Sequence, residues 1–384
     1  MKSLFFLNPD ITFLNHGSFG ACPKPIFENY QYWQQQLETN PVQFMTQTVH
    51  EQRKISKISL SKYIGCSEND FFFTPNPTFA INTVMRSLRL QPGDEILSTN
   101  HEYGAMNRTW RFFSKKTGVK FVPQTITLPI ISKAKILEEF WSGYTANTKV
   151  VFLNHISSAT ALIFPVKEIC EKARKLGLII IIDGAHVPGH INLNISELDP
   201  DFYTGTLHKW MLAPKGCSFL YVKKSFQAIL DPLVVGWGYE NEVAIESLFL
   251  DYQEYQGTRD EAAFLTAPAA IVFLEKHNWA EKAAICRQLI LDNYEDFCVL
   301  LGSKPICPLT SEFLGQMCSI PIQTTQPLLL KKLLFEKYKI EVPIMNIEKQ
   351  YFLRITAQVY NTQNDFDILK LALIDIQKTT DYLG

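Results

Sequence analysis

The stretch that decides the fold is Leu178-Ile179-Ile180-Ile181-Ile182-Asp183-Gly184-Ala185-His186. Its run of five apolar residues predicts a strand that is buried on both faces, as strands of parallel sheets are. The strand ends in a carboxylate, at the edge where open α/β sheets bind their ligands. The sequence therefore predicts a ligand site around Asp183.

A second segment, Thr204-Gly205-Thr206-Leu207-His208-Lys209-Trp210, holds a lysine among apolar residues. Such surroundings lower the pKa of a lysine and make its amine nucleophilic. Together with a strand-terminal carboxylate, this lysine suits pyridoxal 5'-phosphate (PLP): the lysine forms the Schiff base, and the carboxylate keeps the pyridine nitrogen protonated. The two segments predict a PLP-dependent enzyme with Lys209, Asp183 and His186 as catalytic residues, His186 lying against the cofactor ring.

The pattern of apolar and polar residues in the rest of the chain predicts an α/β fold. Apolar strands separated by helices indicate a mostly parallel sheet covered on both faces, and two strands near 201–206 and 216–222 indicate a mixed edge. After residue 262, long helices and separated strands indicate a smaller α+β domain. We expect a large PLP-binding domain over 16–260 and a small domain formed by 1–15 and 261–384.

Polar residues near other strand ends are candidates for the same site. Asn76 and Thr78 precede a predicted helix, where they either cap its N-terminus or bind a phosphate. Tyr103 either stacks on a planar ring or belongs to the core. Arg354 lies within an apolar strand pattern and needs an anionic partner, which a substrate carboxylate would supply.

The composition narrows the class of protein. With 37 basic and 38 acidic residues the formal net charge is -1, so we expect neither nucleic acid nor an anionic membrane as a partner. The eight cysteines form no C-x-x-C pair, and the N-terminal apolar run is too short for a signal peptide. These features predict a cytoplasmic enzyme without a bound metal.

Two other interpretations stay open at this point. Asp183, His186 and His190 have a spacing that a metal site uses, although Pro188 and Gly189 interrupt any helix that would align the histidines. A PLP-binding regulator without catalytic activity is the second interpretation. A regulator would normally carry a basic DNA-binding segment, and the sequence contains none.

Several segments carry a family pattern across nearly the whole chain. They are Leu14–Gly20 with Pro23, His155–Ser158 with Pro165-Val166, Asp183–His186, His208-Lys209 with Pro214-Lys215-Gly216, Gly257–Asp260, and Arg354–Thr356 with Tyr360-Asn361-Thr362. Together they resemble the class V aminotransferase family of fold type I PLP enzymes, and within it the isopenicillin N epimerase-like group.

The resemblance implies cofactor contacts residue by residue. Lys209 would carry the cofactor, Asp183 would pair with the pyridine nitrogen, and Tyr103 would stack on the ring. The other contacts would come from Asn76, Thr78, Ser158, His186, Thr206 and His208. Thr258 would reach the phosphate in the neighbouring subunit, which implies a homodimer.

The resemblance also implies an amino-acid substrate that reacts at Cα. Arg354 would hold its carboxylate, and Asn15 and His16 would lie near it. Cysteine desulfurases of this family carry a nucleophilic cysteine where residues 342–350 have none, so desulfurase activity is not expected. Epimerisation or related Cα chemistry is the first expectation. A C–S lyase acting on cystine, a cysteine conjugate or a cysteine sulfoxide is the close rival, followed by an aminotransferase.

Overall fold

A seven-stranded sheet in the order β2-β8-β7-β6-β5-β3-β4 forms the centre of the molecule, whose computed structural model describes residues 1–240 and 246–383. The strands are β1 Thr12–Phe13, β2 Phe71–Thr74, β3 Glu95–Thr99, β4 Lys120–Gln124, β5 Thr148–Asn154, β6 Ile179–Gly184, β7 Phe202–Thr206, β8 Ser218–Val222, β9 Met317–Ile322, β10 Ile340–Glu341, β11 Ile344–Ile347 and β12 Gln350–Thr356.

Helices cover both faces of this sheet and build the C-terminal part. They are α1 His16–Phe19, α2 Lys24–Thr39, α3 Pro41–Gln43, α4 Val49–Ile64, α5 Pro77–Ser87, α6 Gly104–Thr117, α7 Lys133–Trp141, α8 Val166–Lys175, α9 Ile195–Leu198, α10 Lys224–Gln227, α11 Leu248–Glu254, α12 Ala262–Leu265, α13 Ala267–Lys276, α14 Trp279–Leu300, α15 Pro327–Glu336 and α16 Gln363–Thr379. A 3-10 turn, Lys2–Leu4, and a π-helical segment, Phe44–Thr48, complete the helical elements of the described residues.

The predicted mostly parallel sheet with a mixed edge is confirmed. Strands β4, β3, β5, β6 and β7 run parallel, whereas β8 is antiparallel to both of its neighbours, β7 and β2. Strand β6 lies in the middle of the sheet, and its residues alternate between two cores. Ile181 packs on one face and Ile180 and Ile182 on the other. Each of these buried side chains stabilises the fold by about 1.5–3 kcal/mol, which accounts for the unbroken apolar run.

A three-stranded antiparallel sheet, β11-β12-β9, forms the core of the C-terminal α+β part. Residues 344–347, for which no strand was predicted, form β11 and pair with β12. The first of the long helices expected after residue 262 is replaced by two shorter ones, α12 and α13. Pro268 lies in the first turn of α13, where its missing N–H is tolerated and a continuous helix is interrupted.

The N-terminal segment joins the C-terminal part. Strand β1 pairs in parallel with β10, and Leu14 exchanges backbone hydrogen bonds with Glu341 and Thr356. This arrangement agrees with a small domain that includes 1–15, although the proposed boundaries at 15/16 and 260/261 stay a prediction. Within the residues that the structure describes, no helix has the length and apolar character needed to cross a membrane.

Candidate active site

A cavity of about 270 Å³ opens at the carboxyl ends of β5, β6 and β7. Ten of the thirteen predicted site residues line it: Asn76, Thr78, Tyr103, Ser158, Asp183, His186, Thr206, His208, Lys209 and Arg354. The other three, Asn15, His16 and Thr258, are not among the residues that line it. Parallel strands bring their carboxyl ends to one edge, which is why residues far apart in the chain meet here.

Lys209 lies in the loop after β7, with its Nζ 3.2 Å from His186 Nε2. Burial lowers the pKa of Lys209 to about 7, with a further contribution from the positive charge of Arg354, while Asp183 opposes the change weakly. A large fraction of the amine is therefore neutral and nucleophilic near neutral pH.

Asp183 ends β6 as a buried carboxylate, 3 % exposed. Its Oδ1 accepts a hydrogen bond from the Ala185 N–H at 2.9 Å. Burial raises the pKa of Asp183, and the Ala185 N–H and the Lys209 charge act in the opposite direction. A buried carboxylate favours a cationic partner, and a protonated pyridine nitrogen would be one. This side chain therefore fits the ring-nitrogen end of PLP.

Trp210 fixes the tautomer of His186. Its indole Nε1–H lies 3.3 Å from His186 Nδ1, and an indole nitrogen can only donate. Burial holds the pKa of His186 well below its usual range, and the nearby Lys209 charge adds to this. The neutral ring therefore carries its proton on Nε2, which contacts Lys209. His186 acts as a hydrogen-bond donor on the cavity side.

His190 lies behind this pair and stacks on Trp210, with ring centroids 4.0 Å apart. Its Nε2 accepts the Gln316 N–H at 2.6 Å, so its Nδ1–H donates to the His186 carbonyl oxygen at 2.9 Å. Both ring nitrogens are thus used by the protein. The described residues contain no group of three potential metal ligands, which leaves the Asp183-His186-His190 metal interpretation without structural support.

The phosphate end of the predicted site lies at the N-terminus of α5. Asn76 caps this helix, since its Oδ1 accepts the Phe79 N–H at 2.9 Å, and it also lines the cavity beside Thr78. From the β7 side, the Thr206 hydroxyl donates to the Ala185 carbonyl at 2.6 Å. A helix N-terminus flanked by hydroxyl groups is a favourable position for a phosphate.

Asn154 is a site residue that the sequence analysis missed. It ends β5 directly beside Asp183 in register, is 3 % exposed and lines the cavity. Neither its amide nitrogen nor its amide oxygen has a hydrogen-bond partner among the described residues. A buried unsatisfied polar group costs about 1–3 kcal/mol, and a ring hydroxyl of a bound cofactor would satisfy it. The sequence offered one signal for this residue, namely its polar side chain at the end of the strand that precedes the strand of Asp183.

Glu102 supports Asn154 from behind the cavity. Its Oε2 accepts the Asn154 backbone N–H at 2.9 Å, and its Oε1 accepts the Thr99 hydroxyl at 2.6 Å. Burial raises the pKa of Glu102 to about 8, although these hydrogen bonds oppose the change. The carboxyl group therefore stays largely protonated at neutral pH.

Arg354 projects from β12 and is 1 % exposed. Its Nη1 donates to the Ser158 carbonyl at 2.6 Å and contacts the Ser158 hydroxyl at 3.3 Å, while its Nη2 donates to Ser18 Oγ at 2.8 Å and Asn15 Oδ1 at 3.2 Å. Its Nε is buried without a partner, and burial lowers the pKa of the guanidinium to about 10. A buried cation held only by neutral groups is a binding site for an anion.

The contacts of Arg354 also define the positions of Asn15 and Ser158. Asn15 accepts a hydrogen bond from Arg354 and does not line the cavity, and its place near the substrate stays a prediction. Ser158 lines the cavity beside Arg354, and its direct contact with the cofactor stays a prediction.

His16 is fully buried and lies under the lysine loop. Its Nδ1 lies 2.8 Å from the Tyr360 hydroxyl, and its Nε2 lies 3.0 Å from the Lys209 carbonyl oxygen. Burial lowers the pKa of His16 to about 3. The His16 ring contacts the Lys209 backbone and does not line the cavity, and its place near the substrate stays a prediction. Thr258 is exposed, and its role toward a neighbouring subunit stays a prediction.

A lysine and a carboxylate at the ends of neighbouring parallel strands, next to a helix N-terminus, define a PLP enzyme of fold type I. The family model for class V aminotransferases matches residues 21–369. The chain belongs to the class V aminotransferase family, and PLP is its cofactor.

Individual proteins are similar over almost the whole chain. An isopenicillin N epimerase of Streptomyces clavuligerus is 31 % identical, over 97 % of this chain and 96 % of the relative. A probable chloroplastic L-cysteine desulfhydrase of Arabidopsis thaliana is 26 % identical, over 95 % of this chain and 83 % of the relative. The crystal structure of the cysteine desulfurase CsdA of Escherichia coli has a TM-score of 0.81 at 21 % identity, with 99 % and 98 % of the two chains covered. This last likeness concerns the fold.

Proposed function

We propose that this enzyme acts at Cα of an amino acid, with epimerisation or a related Cα reaction as the first candidate. The observation that carries the proposal is that the amine of Lys209 and the unpaired cation of Arg354 line the same cavity. The first attaches the cofactor and the second accepts a carboxylate, so an α-amino acid satisfies both. The 31 % identity to an isopenicillin N epimerase supports this order of candidates.

When bound, PLP supplies an electron sink that weakens the bonds at Cα. The chain's own residues bind the cofactor and control protons around it. Asp183 would stabilise a proton on the pyridine nitrogen, and Asn154 and His186 would bind polar groups of the ring. Arg354 orients the substrate carboxylate. Lys209, whose pKa is lowered to about 7, would remove the proton from Cα; inversion then requires that a proton return from the face opposite Lys209.

A C–S lyase is the second candidate, and an aminotransferase the third. The similarity to a protein named a probable L-cysteine desulfhydrase supports the lyase. A cysteine desulfurase is disfavoured, because residues 342–350 contain no cysteine. Cys318 of β9 is 2 % exposed, and burial raises the pKa of its thiol well above the usual range, so it does not replace that nucleophile.

The proposal includes a cytoplasmic homodimer in which Thr258 contacts the cofactor phosphate of the partner. The exposed position of Thr258, outside the cavity of its own chain, supports this role. All eight cysteines are free thiols, which agrees with a reducing compartment.

The first experiment tests the cofactor lysine. The purified protein should be yellow, with a visible band that borohydride abolishes and that Lys209→Ala lacks. Lys215→Ala is the matched control, since this lysine lies in the same loop but donates to the Gly20 carbonyl at 3.0 Å. A colourless protein that takes up no added PLP would overturn the proposal.

The second experiment separates the candidate reactions. The enzyme is incubated with amino acids and cysteine conjugates in deuterium oxide. Epimerisation predicts deuterium at Cα with inversion and no pyruvate, whereas the lyase predicts pyruvate and ammonia in equal amounts. Formation of a keto acid from an added amino acid, with a second keto acid as acceptor, would assign an aminotransferase.

A further inference from the structure

A second cavity of about 530 Å³, which we call the outer cavity, adjoins the one at Lys209. The two share Tyr103, Ser158 and Met345 as lining residues, and the outer cavity adds the charged side chains of Arg111 and Glu348. It lies between α6 and the hairpin of β11 and β12. A ligand can therefore extend from one cavity into the other.

The volume of the cavity at Lys209, which we call the inner cavity, limits how much of a substrate it can hold. Its volume of about 270 Å³ is at the lower limit of the ~300–1,000 Å³ typical of a single small-molecule site. We expect bound PLP to take up most of that space. Ser158 contacts Arg354 and lines both cavities, as Met345 does, so a substrate held by its carboxylate at Arg354 would lie at the junction between them.

The outer cavity offers one cation and one anion. Neither Arg111 nor Glu348 forms an ion pair within 4.0 Å with any residue the structure describes. The other acid in the lining, Glu102, is buried and hydrogen-bonded to Thr99 and Asn154, so it is not available to a ligand. The accessible charges are therefore of opposite sign and are both unpaired.

We infer that the outer cavity binds the far end of the substrate, and that the substrate is an α-amino acid with an extended side chain ending in a zwitterionic head. The distal carboxylate pairs with Arg111 and the distal ammonium group with Glu348. This inference rests on the proposed function, because the reacting end must be held at Arg354 beside the cofactor.

The test uses amino acids of similar length that differ in terminal charge. L-norleucine ends in a methyl group, L-2-aminoadipate in a carboxylate, L-lysine in an ammonium group, and LL-2,6-diaminopimelate in both charges. Equilibrium dissociation constants come from the change in the visible band and from thermal stabilisation of the holoenzyme. We expect each matched charge to tighten binding about threefold, as solvent-accessible ion pairs do, so diaminopimelate binds about tenfold more tightly than norleucine.

Two substitutions assign the charges. Arg111→Gln should remove the advantage of 2-aminoadipate over norleucine, and Glu348→Gln should remove that of lysine. Arg108→Gln is the matched control, because this exposed arginine lies on the same helix, donates to the Gly104 carbonyl and does not line the outer cavity. It should keep the wild-type order of affinities. Raising the ionic strength should weaken the preference, since both charges are accessible to solvent.

The outcomes separate this inference from the function on which it rests. Equal affinities for all four ligands, or an unchanged preference in Arg111→Gln, would overturn the inference while the proposed function stands. If none of the four ligands, nor L-alanine, changes the visible band of a cofactor-loaded protein, the proposed function itself fails.

Discussion

Replacing Arg354 with glutamine should remove the ability to recognise an α-carboxylate. A guanidinium has five N–H donors. The contacts of Nη1 and Nη2 go to Ser158, Ser18 and Asn15, which leaves the Nε–H as the free buried donor. A hydrogen bond to a charged group contributes about 1.5–3 kcal/mol, which corresponds to about 10- to 150-fold in affinity.

The assay compares L-alanine with ethylamine, which has the same amine but no carboxylate. The wild-type protein should bind alanine more tightly by about 10- to 150-fold, and Arg354→Gln should reduce this ratio to near one. The ratio is informative because Arg354 also lowers the pKa of Lys209, and that effect is common to both ligands. Arg354→Lys keeps the charge without the planar donor geometry and should give an intermediate ratio.

Two controls show whether the variant is intact. The visible band of the bound cofactor and the thermal unfolding temperature should stay close to those of the wild type. If Arg354→Gln still prefers alanine by the wild-type factor, the carboxylate is bound elsewhere and the assignment of Arg354 is wrong. Loss of the visible band would show instead that Arg354 is needed for cofactor binding.

Three further predictions concern protons at the site. Apoprotein should take up PLP at a rate that rises with pH and levels off above about 7, since burial lowers the pKa of Lys209; a stopped-flow midpoint near 10.5 would contradict this. Trp210→Phe removes the indole donor to His186 Nδ1, so His186 should populate both neutral tautomers. The loss of a hydrogen bond of about 0.5–1.5 kcal/mol shifts the tautomer ratio by about 2- to 13-fold. Nitrogen NMR of histidine-labelled apoprotein measures this ratio, and an unchanged Nε2–H signal argues against the assignment. Between the ordinary glutamate pKa of 4.5 and about 8, native Glu102 keeps its proton while the unfolded chain has lost it, so the free energy of unfolding of the wild-type protein falls across that window by up to about 1.4 kcal/mol per pH unit. Glu102→Gln lacks this proton, so the variant apoprotein should become more stable relative to wild type as pH rises. Denaturant titrations of both proteins at pH 5 and pH 8 measure the difference in stability, and an unchanged difference would refute the prediction.

The sheet was predictable because its signals are local. An apolar run that is buried on both faces, such as Leu178–Ile182, has few alternatives to a central parallel strand, and Asp183 then has to lie at the ligand-binding edge. Strand β11 was not predicted because the alternation of Ile344–Ile347 is short and depends on pairing with β12. Its position matters for the site, since Met345 lines both cavities.

The parts of the site that the sequence did not reveal depend on contacts between distant segments. Asn154 becomes informative only through its register with Asp183, and the donor role of His186 only through the indole of Trp210. His16 is part of a segment that resembles the family, but its two ring nitrogens are used within the protein. Membership of a family-like segment therefore did not distinguish a supporting residue from one that faces a ligand.

The support under Lys209 has a consequence for the order in which this enzyme is made. A Cβ at Gly20 would overlap the His208 carbonyl oxygen, so the N-terminal segment packs directly on the backbone of the lysine loop. The same segment is tied to the far end of the chain, since the His16 N–H donates to Thr356 Oγ1 at 2.8 Å, across 340 residues. During synthesis His16 cannot make this contact until Thr356 has been added to the chain. The full set of contacts that supports the lysine loop therefore forms only after residues 16–356 have all been synthesised.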